Sequence, residues 1–284
     1  MITLRPATDE DAPRAAEIAI AVDIAEVGEP DYSLEDLREE WAEPGFDLAL
    51  DSAVAEDAEG TVIGFAHFRS GDLVVAVDPL RQGEGAGTAL LDWAERRGSE
   101  RGETRLRQAV GDRADTARAL LEGRGFSVAR SYYRLERGLT DVEGEPDFRG
   151  LAPEDALFGI YDAAFSRIPD YVYRDEETWT QRSLHAHNLD AETTRVAEGR
   201  GFALVRRFED DVAYVELLAV HPDHGGQGLG GALLTAVFKA ARSGGYRQVV
   251  LNVASDNPNA LRLYERVGMT QRWRIDDYHK PLPN

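Results

Sequence analysis

Val77-Asp78-Pro79-Leu80-Arg81-Gln82-Gly83-Glu84-Gly85-Ala86-Gly87-Thr88-Ala89-Leu90-Leu91 returns 143 positions later as Val220-His221-Pro222-Asp223-His224-Gly225-Gly226-Gln227-Gly228-Leu229-Gly230-Gly231-Ala232-Leu233-Leu234. Val, Pro, three glycines, Ala and Leu-Leu coincide. The same offset sets Leu121-Glu122-Gly123-Arg124-Gly125-Phe126 against Tyr264-Glu265-Arg266-Val267-Gly268-Met269, and an offset of 144 sets Arg5 and Glu10-Asp11-Ala12 against Arg149 and Glu154-Asp155-Ala156. The period is too long for a solenoid, so the chain reads as two copies of one domain. The polar Gly/Pro segment Asp141–Pro146 separates them,. The expected domains are therefore residues 1–143 and 144–284, in keeping with a 284-residue length,.

Each copy shows the same order of elements. A strand at Ile2–Arg5 leads to a helix from near Asp9, with apolar Ala12, Ala15, Ile18 and Ile20,. Paired strands follow at Ser52–Glu56 and Thr61–Phe68, matched by Thr194–Glu198 and Phe202–Phe208,. Apolar runs at Leu73–Val77 and Val212–Val220 predict buried strands,. Each run enters a glycine loop that opens a helix, which in the second copy carries Leu233, Leu234, Val237, Phe238 and Ala241 on one face,. A strand at Gln248–Val253, a short helix near Asn259–Val267 and a last strand from Thr270 close the unit. The fold class is α/β (α+β): two domains, each a mixed, mostly antiparallel sheet flanked by helices.

The composition excludes several functions. There are no cysteines, so disulfides, a cysteine nucleophile and thiolate zinc sites are ruled out,. A net charge of −20 opposes nucleic-acid binding, which needs a basic face,. Residues 1–100 hold 24 acidic and 7 basic side chains, an asymmetry that suits a solvated acidic face or a cationic substrate,. No apolar run approaches the ~18 residues of a membrane span, and no signal peptide opens the chain, so no membrane partner and a cytoplasmic location are expected.

The strand–loop–helix junction carries the chemistry. Glycines let backbone amides approach a ligand, and the helix start adds unpaired N–H groups and a positive dipole end. Such a corner holds phosphate. Gly226-x-Gly228-x-x-Gly231 formally matches a dinucleotide fingerprint, but four residues, His221–His224, separate strand from glycines, and the first copy has Thr88 in place of the third glycine,. No Walker Lys-Ser/Thr pair follows either loop,. Val-x-Pro-x-x-Gln/Arg-Gly-x-Gly-x-Gly/Ala followed by Ala-Leu-Leu resembles the acyl-CoA signature of the GNAT superfamily of N-acyltransferases. Asn257-Pro258-Asn259-Ala260 with Tyr264-Glu265 and Gly268-Met269 resembles that family's Asn-x-x-Ala-x-x-x-Tyr-Glu-x-x-Gly-Phe segment. The resemblance covers both halves, and the tandem layout resembles that of mycothiol synthases.

The resemblance implies a site. Two central parallel strands, Tyr214–Val220 and Gln248–Val253, splay apart. Acetyl-CoA, the expected co-substrate, lies between them, with its pantetheine arm on Leu218, Ala219 and Val220 and its pyrophosphate on Gly225, Gly226, Gln227, Gly228, Gly230 and Gly231. Asn252 and Asn257 complete the expected contacts. The first copy offers a possible second CoA site at Val77, Gln82, Gly83, Gly85 and Gly87.

Acyl transfer to an amine needs a proton acceptor, oxyanion stabilisation and an acid for the leaving thiolate. Without cysteine or a Gly-x-Ser-x-Gly elbow, direct attack by the amine is favoured. Tyr264 is the candidate acid, otherwise a packed core tyrosine. Glu216 is the candidate base, otherwise a solvent-facing or salt-bridged strand residue. A backbone N–H near Leu218 is the candidate oxyanion donor. The first copy has Leu121 and Leu73 at the acid and base positions, so the second copy is expected to catalyse. His221, His224, His185 and His187 lack a recognisable third ligand, so no metal is expected. Phe165–Tyr173 with Trp179 lines either the acceptor pocket or a domain contact. The expected function is acetyl transfer to the primary amine of a small molecule. A non-catalytic acyl-CoA sensor and a protein N-acetyltransferase are the alternatives, and monomer and homodimer both stay open.

Overall fold

The computed structural model describes every residue except 44, 70–71, 167–172, 210 and 284. It divides into two compact units, Met1–Tyr132 with Trp273–Asn284, and Tyr133–Arg272. The repeat boundary at 143/144 thus differs from the spatial one. Residues 133–143 lie with the second unit and 273–284 with the first.

In the first unit, β1 (Thr3–Arg5), β2 (Ser52–Glu56), β3 (Val62–Arg69) and β4 (Asp72–Val77) form an antiparallel sheet in sequence order. Helix α1 (Ala12–Glu26) covers it, burying Ala12, Ala15, Ala16, Ile18 and Ala19 against Leu37 and Trp41 of α2 (Leu34–Trp41) and against Val54 and Phe65. Ser33 starts α2 with a capping box, its hydroxyl accepting from Asp36 N–H while Asp36 accepts from Ser33 N–H,. A short helix, α3 (Leu48–Asp51), leads into β2; α4 (Ala86–Glu100) follows the first glycine loop. The strand β5 (Arg105–Gly111) and the helix α5 (Asp115–Gly123) come next. Among the described residues no ladder joins β4 to β5.

Strand β6 (Ser127–Gly138) carries the chain into the second unit, through α6 (Phe158–Phe165) and α7 (Glu176–Ser183) to β7 (Arg195–Ala197), β8 (Gly201–Glu209) and β9 (Val212–Val220). Then follow α8 (Leu229–Ser243), β10 (Gln248–Ala254) and α9 (Pro258–Arg266). The sheet order is β6-β10-β9-β8-β7, antiparallel from β7 to β9 and parallel between β9 and β10. Leu233, Leu234, Val237, Phe238 and Ala241 of α8 are buried on Val215, Val249 and Leu251. The repeat is visible in detail: Arg5 holds Asp11 in one unit and Arg149 holds Asp155 in the other, each at 2.7 Å.

The last strand, β11 (Thr270–Pro281), pairs antiparallel with β5 from Ile275↔Gly111 to Pro281↔Arg105. Tyr278 is 1% exposed and its hydroxyl donates to Glu122 at 2.9 Å. Gly98 makes room beneath this tail: a Cβ there would lie 2.9 Å from a methyl of Leu282 and 2.8 Å from one of Leu106, and both side chains would have to shift. Among the described residues no helix is long and apolar enough to cross a membrane.

Candidate active site

Among the described residues, strands β9 and β10 are joined at Val212–Tyr214 and Gln248–Val250, and no ladder connects them beyond. The cause lies in β9. Val205 faces Val215 and Leu204 faces Leu217, leaving Glu216 as the extra residue of a bulge, which bends the strand,. Leu218, Ala219 and Val220 stay paired to Ala203, Phe202 and Gly201 on β8, so their opposite edge borders the gap.

The gap leads to the second glycine loop. A 3-10 turn at Pro222–His224 is followed by Gly226 (φ 72°) and Gly228 (φ 81°), both left-handed. A Cβ at either would touch nothing within 4 Å, so the backbone angle, not crowding, demands glycine,. Gly228 is the N-cap of α8 and has no side chain to cap it, which leaves the first-turn amides for an anion,. Gly230 lies where three elements meet: a Cβ would stand 3.4 Å from Leu263, 3.7 Å from Val220 and 3.8 Å from Leu218. Gly231 faces Val267 of the segment after α9, and Gln227 sits between the two left-handed glycines. Gly225 is extended, with Pro222 O 3.2 Å from the position of a Cβ.

Tyr264 on α9 is buried among Val215, Leu251 and Val253, and burial pushes its phenol up to about 12. Asn257 caps α9, its oxygen accepting from Ala260 N–H at 3.1 Å,. Asn252 is exposed on β10. Glu216 forms an ion pair, Arg206 Nε donating to its Oε2 at 2.6 Å, and Arg206 also donates to Arg182 O. His221 accepts from Asp223 N–H, a turn-capping role. Of the aromatic segment, Trp179 is 2% exposed and stacks on Tyr161 at 5.1 Å within the second unit's core, whereas Arg167–Val172 lie outside the described residues.

In the first unit, Val77, Gln82, Gly83, Gly85 and Gly87 line one cavity of about 260 Å³, together with Leu121. Gly83 (φ 81°) and Gly85 (φ 96°) repeat the left-handed geometry, and Gly85 is the N-cap of α4. A second cavity of about 330 Å³ adjoins it. Val22, Glu26, Val75, Ala76 and Gln108 line both. Val75 N–H points into this region and donates to Gln108 Oε1 at 2.8 Å. Glu26 accepts from Gly111 N–H at 2.8 Å, and burial pushes its carboxyl up to about 7; burial likewise raises Asp23 to about 6. Neither of these two carboxylates on α1 was among the expected site residues, which placed the base on a strand. The signal was present: Ala15, Ala19, Val22 and Glu26 share one helix face, so Glu26 ends a buried stripe,.

The profile of the acetyltransferase (GNAT) family matches residues 6–126 and again 155–269. A mycothiol acetyltransferase of Stackebrandtia nassauensis is 30% identical, over 94% of this chain and 96% of its own length. Among solved structures, a GCN5-related N-acetyltransferase from Sphaerobacter thermophilus superposes with a TM-score of 0.79 at 23% identity, covering 100% of this chain and 96% of that one. A tandem GNAT protein from the clavulanic acid biosynthesis pathway superposes with a TM-score of 0.71 at 16% identity, covering 100% and 99%. Two profile matches in one polypeptide, each spanning a strand gap and its glycine loop, lead to one conclusion: the chain belongs to the GNAT family of acetyltransferases, in the tandem arrangement.

Proposed function

We propose that the protein transfers the acetyl group of acetyl-CoA to the primary amine of a small molecule, by direct attack, in the second unit. The observation that carries the assignment is the bulge at Glu216, which opens β9 from β10 beside the uncapped start of α8. The loop amides from Gly226 to Gly231 hold the pyrophosphate, and the free edge of Leu218–Val220 holds the pantetheine amides. A backbone N–H near Leu218 receives the carbonyl oxygen as charge builds on it. The amine nitrogen forms the new C–N bond while the C–S bond breaks, and the electron pair leaves on sulfur. Tyr264 donates a hydrogen bond to that sulfur. A phenol at about 12 stays protonated throughout physiological pH, so it is always ready to donate,. Glu216 takes the amine proton through water, since Arg206 occupies its Oε2.

The acceptor is small and neutral or cationic, in keeping with the net charge of −20,. Its homology to a mycothiol acetyltransferase makes an amino-sugar derivative the first acceptor to assay. Thiol release from acetyl-CoA across a panel of primary amines tests the reading. Turnover on at least one amine is expected. Stoichiometric CoA binding without turnover on any amine would instead make the protein an acyl-CoA sensor.

A further inference from the structure

We propose that the first unit is a second acetyl-transfer site, with Glu26 as its base, Val75 N–H as its oxyanion donor and Gln108 as the group that covers that donor. It rests on the acetyl-transfer reading above but places an additional reaction in the half whose sequence lacks both expected catalytic side chains.

The geometry supplies each part. The gap between β4 and β5 opens onto the loop carrying Gly83 and Gly85, which has the same left-handed glycines and uncapped helix start as the second unit's. Val75 stands at the position equivalent to Leu218, 143 residues earlier. Its N–H already donates to a carbonyl oxygen in the gap, that of the Gln108 side chain, so the donor is aimed where a thioester carbonyl would lie,. The side-chain NH2 of Gln108 donates to Ala109 O, which holds the side chain in place. Glu26 lines both the loop-side cavity and the neighbouring one, so it faces donor and acceptor together. Gly111 N–H engages one carboxylate oxygen, and the other has no protein donor among the described residues.

The neighbouring cavity selects a cation. Around Glu26 stand Asp23 on α1, Arg118 on α5, and Asp31, Tyr32 and Glu40 at the outer wall. From β4 and β5 come Asp72 and Arg107, paired with each other at 3.0 Å, with Arg107 also on Asp277 at 2.7 Å, and Glu40 holds His67 at 3.3 Å, so Asp23 and Glu26 are the carboxylates a cation would meet. A volume of about 330 Å³ is near the lower end of ligand cavities, roughly 300–1,000 Å³, which suits a small amine,. In the reaction, Gln108 swings off Val75, the amine nitrogen bonds to the acetyl carbon, and its proton passes to Glu26. The C–S bond breaks and the sulfur keeps the electron pair. With Leu121 where the second unit has Tyr264, the thiolate takes its proton from solvent.

The test uses the full chain carrying Gly228→Val, which disables the second loop, with Tyr264→Phe as the alternative background if a thermal melt shows unfolding. Thiol release is followed with acetyl-CoA and primary mono- and diamines. Residual turnover is expected, with a rate that rises through a midpoint of about pH 7. Adding Glu26→Gln should lower it by ~10²-fold or more and remove that midpoint. Adding Gln108→Ala should raise kcat/KM roughly fivefold, the factor of one displaced hydrogen bond. Calorimetry should count two acetyl-CoA per wild-type chain and one in Gly228→Val. The proposal is overturned if the folded background and its Gln108→Ala form are inactive on every amine while wild type turns over; the second-unit reading then stands alone. It is equally overturned if Glu26→Gln leaves the residual rate unchanged, or if wild type binds a single acetyl-CoA. If wild type itself acetylates no amine, both readings fall.

Discussion

Glu26→Gln should stabilise the protein in mildly alkaline solution and do little in mild acid. In the folded chain the carboxyl titrates at about 7, against 4.5 for the ordinary group. Between those values the folded state holds a proton that the unfolded state has lost, so stability falls as pH rises and levels off above 7. At 1.36 kcal/mol per unit, the ionised carboxyl costs the fold about 1 kcal/mol at pH 5 and about 3 kcal/mol at pH 8. Glutamine carries no such penalty. It keeps an oxygen for Gly111 N–H, and any weakening of that bond is the same at both pH values. The pH-dependent part of the gain is therefore about 2 kcal/mol, an upper figure because Glu26 is only half-buried. Removing the charge also eases ionisation of Asp23, which acts in the same direction. Thermal melts of both proteins at pH 5 and pH 8 measure the double difference. For the first unit, with its 144 residues, about 2 kcal/mol corresponds to roughly 4–8 °C,. A shift that is equal at the two pH values, or a loss confined to pH 8, would refute the argument that burial strains this carboxylate. A group that costs stability when charged and is nonetheless placed between two cavities has the character of a working residue.

Tyr264→Phe should lower kcat by ~10²–10⁴ with little change in acetyl-CoA affinity, as pre-steady-state and calorimetric measurements would show. Gly228→Val puts a β-branched residue at φ 81° and should abolish binding at the second loop, whereas Gly225→Ala, at an ordinary φ, has only to ease Pro222 O by a few tenths of an ångström and should be mild by calorimetry. Asp51→Asn should destabilise the first unit by about 3–5 kcal/mol in urea unfolding, because Arg97 and Arg101 both hold the buried carboxylate at 2.8 Å,. Burial pushes Asp51 up, but Asp47 N–H and the two arginines outweigh it and hold it below the usual range, so this contribution should fade as pH drops below about 4,.

The repeat made most of the fold legible, because the glycine loop and its flanking strands recur at a fixed offset. Strand bounds at Leu73–Val77, Val212–Val220 and Gln248–Val253 agree with β4, β9 and β10 to within a residue. The unit each final strand joins was not legible. Ser127–Gly138 and Thr270–Pro281 are equivalent 12-residue strands, and exchanging equivalents leaves the hydrophobic pattern unchanged. The bulge at Glu216 was hidden too, since one extra residue in a ladder shows only when the partner strand is known,. Arg206, ten residues earlier, gave no sign that it would hold that glutamate. Glu26 was missed for a related reason: comparing equivalent strand positions finds Leu73, and the carboxylate arrives from a helix instead.

The placement of β11 also sets an order of events during synthesis. Strand β5 is complete by residue 111, but its partner is the last strand of the chain, and all 140 residues of the second unit lie between the two parts of the first. At about 5–20 residues per second, ribosomes need roughly 7–30 s to cover that interval. Throughout it the nascent first unit presents an unpaired strand edge and lacks the buried ring of Tyr278,. The first unit thus closes only after the second has been translated, and the nascent chain offers a chaperone or a neighbouring nascent copy an open edge until β11 emerges.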